Sequence, residues 1–311
     1  MGRGLAIAAA ALLVAGCARP VARLTVYGST ATLEIAPVLV AARQHRARRV
    51  MVTNGGIANL VGAARGRADL ATHAETQVLR YSVEHPDIRI LLTLTEGQYR
   101  IVARRSAGIR ALADLKGKRV ATLATTSAGY FLARMLEQAG LGFDDIFAVR
   151  VSPVEDMAGA LVHGEVDAVA IWEPHADAAA RALGDDRVEF TGDGVYRELF
   201  SLNTTAAALA TPARRHAIVR FVREIIHASA TIRRNPREAQ ALAAREAGFT
   251  PQVVARAWPS FRFPAALPAD LLDVLVEEER WLAEQQGRAP RSRAVLASLI
   301  DTSVLAEAQE Q

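Results

Sequence analysis

The chain has 311 residues, of which 51% are hydrophobic, a formal net charge of +4 and a single cysteine. This composition supports a sizeable core, excludes a disordered or collagen-like chain, and leaves no partner for a disulfide within the chain. The basic residues are almost all arginine, with Lys116 and Lys118 the only lysines. Arg43, Arg46, Arg48 and Arg49 form one local cluster, which reads as a solvated helix end. No nucleic-acid-binding motif accompanies them, so nucleic acid is not an expected partner.

The first element is a leader. Arg3 gives a short positive start, Leu5 to Gly16 is an unbroken apolar and small run, and Cys17 follows. The run is shorter than the roughly 20 residues a stable membrane span needs. It fits a secretory signal cut after small residues. Val14-Ala15-Gly16-Cys17 resembles a bacterial lipobox, in which the cysteine thiol is lipidated and becomes the new N-terminus. Residues 1–16 are therefore expected to be a signal peptide, Cys17 the lipidation site, and 17–23 a tether to the membrane.

Beyond it, LTVYG (24–28) reads as a buried strand, and STATLEIAPVLVAARQ as a loop turning into a helix with Pro37 in its first turn. Val50 to Thr53 reads as a strand, NGG as a turn, and Ile57 to Ala64 as a short helix closed by Gly66. ILLTLTEGQYRIVARR (90–105) is β-rich and too long for one ordinary strand. IRALADLKGKRVATLATT (109–126) restarts with a short helix, a turn and a strand. After ELFSLNTTAAA (198–208) the pattern is almost wholly helical, with stops at Pro236 and at two later glycines.

Two segments share one design. NLVGAARGRADLATHAE (59–75) and MAGALVHGEVDAVAIWEP (157–174) each carry a short apolar helix, a glycine, two residues, an aspartate and an apolar strand. The glycine suits a helix C-terminus, and a strand apolar on both faces suits a parallel sheet under helices. The expected architecture is α/β with two like-built lobes. Residues 24–97 and 206–311 form lobe one, 98–205 form lobe two, and the chain crosses twice between them.

Ligands of open α/β sheets bind beyond the carboxyl ends of the strands. That rule selects Ser29 and Thr30, then His73 and Glu75, then Thr126 and Ser127 of the TTSAG loop, and finally Trp172 and Glu173. Gln98 joins them at the proposed crossing. The TTSAG loop opens a helix, where free N–H groups favour an anion and hydroxyls add donors. Plain N-capping by Thr126 or Ser127 explains the same residues. Asp69 and Asp167 precede their strands and are expected to bond to local backbone instead. The seven histidines are dispersed, no metal site or cofactor is expected, and no G-x-S-x-G or H-E-x-x-H occurs.

IAPVLVAARQ, LVGAARGRADLA, IRALADLKGKRVA, SAGYFLARMLEQAGL and MAGALVHGEVDAVAIWEP together resemble the periplasmic solute-binding proteins of the nitrate/sulfonate/taurine and thiamine-pyrimidine group of ABC importers. The resemblance implies a two-lobed periplasmic-binding-protein clamshell of type II with two hinge crossings. It also implies a monomer that closes on a sulfonate, nitrate or formylated aminopyrimidine and delivers it to a permease and ATPase. The chain departs from the family where RQHRARRV replaces a glycine-aromatic-aromatic stretch, and its first loop reads YGSTATLE. A thiamine-pyrimidine-type enzyme that uses a lysine-held pyridoxal phosphate, and a sensor lipoprotein that does not transport, are the alternatives. Lys116 and Lys118 fit the first poorly, because both sit at a turn before a strand.

Overall fold

The computed structural model describes residues 23–44, 50–62 and 68–310. The expected signal peptide, Cys17, Arg46, Arg48, Arg49 and Gly66 lie outside the described residues. In chain order, β1 (Leu24–Gly28), α1 (Ala36–Gln44), β2 (Val50–Asn54), α2 (Ile57–Val61), β3 (Leu70–Ala74), α3 (Glu75–Ser82) and β4 (Ile88–Gly97) come first. Then follow β5 (Tyr99–Arg104), β6 (Arg119–Ala121), α4 (Ser127–Glu137), β7 (Phe147–Val149), α5 (Met157–Val162), β8 (Ala168–Trp172), α6 (His175–Leu183) and β9 (Arg187–Thr191). The chain returns through β10 (Glu198–Thr205), α7 (Ala206–Ala210), α8 (Pro212–Arg234), α9 (Arg237–Ala247) and α10 (Pro251–Ala257). It ends with β11 (Phe261–Arg262), α11 (Leu271–Gln285), α12 (Arg293–Ala297) and α13 (Ser303–Gln309).

Two sheets result. The first has the order β11-β4-β10-β3-β1-β2 and the second β7-β6-β8-β5-β9. In each, a parallel group (β3-β1-β2 and β7-β6-β8) is joined by antiparallel strands that come from a crossing. The chain passes from the first sheet to the second at Gln98, the one residue between β4 and β5. It returns through residues 192–197. The lobe boundary expected at 205 is corrected by this pairing. β10 is buried for all but its last residue and hydrogen-bonds between β3 and β4, so 198–205 belong to the first sheet. An apolar strand with two neighbours satisfies its backbone only inside a sheet, and the first sheet supplies both edges.

The first sheet is covered on one side by α1, α8, α9, α10 and α13 and on the other by α2, α3, α11 and α12, through two apolar clusters. The second sheet has its own cluster around Tyr99, Phe131 and Leu161. Pro37 stands second in α1, as its missing N–H allows. Gly164 ends the turn after α5 at φ 74°, a conformation that favours glycine. The halves also touch away from the crossings. Arg256 on α10 pairs with Asp177 on α6 at 3.0 Å, and the rings of Tyr130 and Trp281 lie 5.4 Å apart, edge to face.

Candidate functional site

A cavity of about 320 Å³ lies between the sheets. Its wall is built from the carboxyl ends of β1, β2, β3 and β8, the loop after β6, and the amino ends of β5 and β10. The register explains the mixture. Gly97 pairs with Glu198, and Tyr99 pairs with Trp172, so the antiparallel crossing strands begin where the parallel strands end. Both halves contribute: Ser29, Glu34, Asn54, His73, Gln77 and Glu198 from one side, Tyr99, Thr126, Ser127 and Trp172 from the other.

Of the residues selected from the sequence, Ser29, His73, Thr126, Ser127 and Trp172 line this cavity. Thr30 stands beside it, where its amide donates to Asn54 Oδ1 at 3.2 Å and ties the loop after β1 to the end of β2. Three others do different work. Glu75 is fully buried and accepts from the Tyr196 hydroxyl at 2.7 Å and the Leu199 amide at 2.8 Å, so it clamps α3 to the second crossing. Gln98 is exposed and its Nε2 donates to Asp193 Oδ1 at 2.9 Å, which links the two crossings to each other. Glu173 is buried against Arg100 and accepts from the Asp177 amide at 3.0 Å, which caps the first turn of α6. A carboxylate held by an arginine and an amide has little capacity left for a ligand.

The TTSAG loop is also spoken for. Thr126 Oγ1 accepts from the Ala128 amide at 3.2 Å, while the amides of Gly129 and Tyr130 bond to the Thr126 carbonyl. Thr126 thus N-caps the helix while it and Ser127 stay in the cavity wall. Gly129 is required by contact: a Cβ there would collide with the Ala124 carbonyl. The Ser127 hydroxyl lies 2.8 Å from the Tyr99 hydroxyl, which donates to Glu198 Oε1 at 2.9 Å.

Glu34, Tyr99 and Glu198 were missed in the sequence, and they dominate the electrostatics. Glu34 is 2% exposed and Glu198 4% exposed, and each has one carboxyl oxygen, Oε2, without a partner. Burial is the first cause that pushes the Glu34 carboxyl up to about 7, with the nearby Glu173 charge adding to it. Burial, then the charges of Glu34 and Glu75, push Glu198 well above the usual carboxylate range. Burial and the Glu198 charge likewise raise the Tyr99 hydroxyl. Burial lowers His73 to about 4, so its ring is neutral at pH 7, and Nδ1 accepts from the Ala74 amide at 3.1 Å. That assigns the proton to Nε2. Among the described residues no lysine or arginine lines the cavity. Lys118 Nζ donates to the Ala107 carbonyl and Lys116 pairs with Asp145, both away from it.

Known proteins of similar sequence and shape place this architecture. Over 79 residues the chain is 42% identical to a protein of Escherichia coli (strain K12) that carries the name of an aliphatic sulfonates-binding protein. The match covers 25% of this chain and 24% of that protein, so it spans about a quarter of the relative's length. The alkanesulfonate-binding protein SsuA from Xanthomonas axonopodis pv. citri, solved with MOPS bound, superimposes with a TM-score of 0.68 at 23% identity. That likeness covers 91% of this chain and 99% of the other. The desulfurization enzyme DSZB superimposes with a TM-score of 0.64 at 17% identity, over 92% and 99% of the two chains. The fold is therefore that of the periplasmic binding proteins, which also carries an enzyme. The model of the family described as NMT1/THI5 like matches residues 54–242, more than half of the sequence, and the chain belongs to that family.

Proposed function

We propose that the protein is the solute-binding component of an ABC importer, held to the membrane through Cys17, which captures a small molecule between its lobes. The observation that carries this reading is the cavity of about 320 Å³ walled by both sheets, with two crossings as hinges beside it. A ligand that touches both walls stabilises the closed arrangement over the open one and so shifts the population towards closure. The closed form then presents one surface to the permease, and the ATPase drives release. The resemblance offers sulfonate, nitrate and formylaminopyrimidine as ligand types, and the chemistry of this chain's own cavity wall decides which class it takes.

Catalysis is the second reading, favoured by the likeness to the desulfurization enzyme. Against it, the cavity has no cysteine and no lysine among its lining residues. The paired hydroxyls of Tyr99 and Ser127 are not arranged with a histidine base that would activate either.

The test joins two measurements on the mature chain. A thermal-shift screen of sulfonates, nitrate, aminopyrimidines, organic cations and carboxylates finds a binder, because a ligand of the folded form raises the melting temperature. Solution scattering then shows a smaller radius of gyration with that binder present. If no compound raises the melting temperature and also contracts the molecule, capture by closure is wrong. Cys17→Ala is expected to abolish lipid labelling in cells, and labelling that persists would remove the anchor.

A further inference from the structure

The cavity's polar wall carries two acids. Two carboxyls, from Glu34 in the β1–α1 loop and Glu198 at the start of β10, line it while almost fully buried. Each keeps an oxygen that bonds to nothing in the protein. A buried polar atom left without a partner costs roughly 1–3 kcal/mol, and more when charged. Two such oxygens beside one cavity are acceptors that a ligand can complete.

Among the described residues the cavity has no cation to balance an anion, although neutral donors such as Thr72 Oγ1 and His73 Nε2 stand in its wall. At the start of α1, the Ala36 amide bonds to the Leu33 carbonyl, Pro37 has no N–H, and the Val38 amide bonds to the Ile35 carbonyl. Of the amides that open α4, those of Ala128, Gly129 and Tyr130 are held by Thr126. No arginine or lysine lines the wall among the described residues. His73 is neutral, so it brings no positive charge. A sulfonate or nitrate placed here would face two carboxyls and no cation. A metal ion fares no better, since no cluster of three histidine, cysteine or acidic groups is disposed to hold one among the described residues.

Resting on the reading of the protein as a solute-binding component, we infer that its ligand is a small organic cation of the amidinium or guanidinium type. Its N–H donors complete the free oxygens of Glu34 and Glu198. Its body lies against Trp172 and Tyr99, whose rings are 6.0 Å apart and tilted by 54°. Aromatic faces attract a cation through their quadrupole, most strongly where water is excluded. A planar ion with paired N–H groups matches carboxyls in a way that a spherical ammonium does not. Gly97 keeps room for the acid, because a Cβ there would come within 3.0 Å of Glu198 Oε2.

The test uses three probes of one shape and different charge on the mature chain: benzamidinium, benzamide and benzenesulfonate. Calorimetry and thermal shift are expected to show benzamidinium binding, benzamide at least about tenfold weaker, and benzenesulfonate without effect. Glu34→Gln and Glu198→Gln are each expected to weaken benzamidinium about tenfold or more while circular dichroism stays that of the parent. The inference is overturned if benzenesulfonate binds more tightly than benzamidinium, if benzamidinium does not bind, or if both variants bind it as the parent does. The first of these outcomes, with contraction in solution, sinks the cation and leaves the clamshell reading standing. Absence of contraction with every compound of the wider screen sinks the clamshell reading itself.

Discussion

The acids that open strands at one end of the sheets differ from the two acids that line the cavity at the other. At the end away from the cleft, Asp69 opens β3 and Asp167 opens β8, and each makes the same pair of bonds. The Asp69 amide donates to the Thr25 carbonyl and its Oδ2 accepts from the Thr25 amide at 2.8 Å. The Asp167 amide donates to the Arg119 carbonyl and its Oδ2 accepts from the Arg119 amide at 3.0 Å. Each is also paired with arginine, Asp69 with Arg214 and Asp167 with Arg104 and Arg119. At the cleft end, Glu34 and Glu198 have no arginine partner in the described structure and keep a free oxygen each. The fold therefore completes the acids it uses for strand pairing and leaves incomplete those that face the cavity.

The largest expected effect breaks or keeps that contrast. Glu34 holds its proton to about pH 7 in the folded protein, against 4.5 as the ordinary value. Between these values the folded state binds more protons than the unfolded one, so stability falls as pH rises. The stability present below pH 4.5 should decline by about 3 kcal/mol by pH 8 from this group alone. Glu198, raised in the same direction, steepens the fall. The titratable groups that face these two are Tyr99 from β5, neutral His73 from β3 and the acids Glu75 from α3 and Glu173 after β8, none of which supplies a compensating positive charge. Urea unfolding of the ligand-free chain at pH 5 and pH 8 should show the slope, and Glu34→Gln should flatten it. A variant with the parent's slope would mean that the acid is completed after all.

Asp167→Asn comes next. Burial pushes the Asp167 carboxyl up, but the hydrogen bonds and charge of Arg119, joined by Arg104, outweigh it and hold the group at about 2. Its contribution is present above the ordinary value of 3.8 and is lost as pH falls towards 2. The substitution should cost about 2 kcal/mol at pH 7 and nothing near pH 2. Asp69→Asn should cost less, under about 1 kcal/mol. Burial there raises the carboxyl despite the Thr25 amide and Arg214, so less is lost with the charge. Equal costs at the two sites would show that the matched backbone bonds, and not the charge, carry the contribution.

The sequence shows the strand-opening end more plainly than the cleft end. The helix–glycine–x–x–aspartate–strand unit appears in both halves, and both aspartates bond to backbone, of a neighbouring strand rather than their own turn. Ser29, His73, Thr126, Ser127 and Trp172 follow from the strand-end rule and do line the cavity. Glu198 and Tyr99 escape that rule because crossing strands run antiparallel and present their amino ends to the cleft. The signal for them was the crossing itself, with an aromatic opening the outgoing strand β5 and an acid opening the returning strand β10. Glu34 gave no such sign, since a charged residue in a loop before a helix ordinarily faces water. Glu75 and Glu173 sit at strand ends as the rule asks, but each is absorbed by the nearest amide and hydroxyl or arginine. Spacing tells which side chains reach the cleft end, and only packing tells which remain free there.

The smallest effect concerns the hinge. Gln98 is exposed and its one side-chain bond crosses to Asp193, so the pair joins the outgoing and returning segments without burying anything. Solvent replaces such a bond at little cost, and Gln98→Ala should change stability by under about 0.5 kcal/mol. The backbone of the crossing is secured separately, by the Gln98 amide on the Ser260 carbonyl and by Glu75 on the Leu199 amide. Removing the side chain should therefore leave the melt in place and speed amide hydrogen exchange at 192–197, where the tether between crossings is lost. A loss of stability above about 1 kcal/mol would mean that the crossing carries load through this bond, and that its exposed polar groups resemble the paired acids of the strand-opening end rather than a free joint.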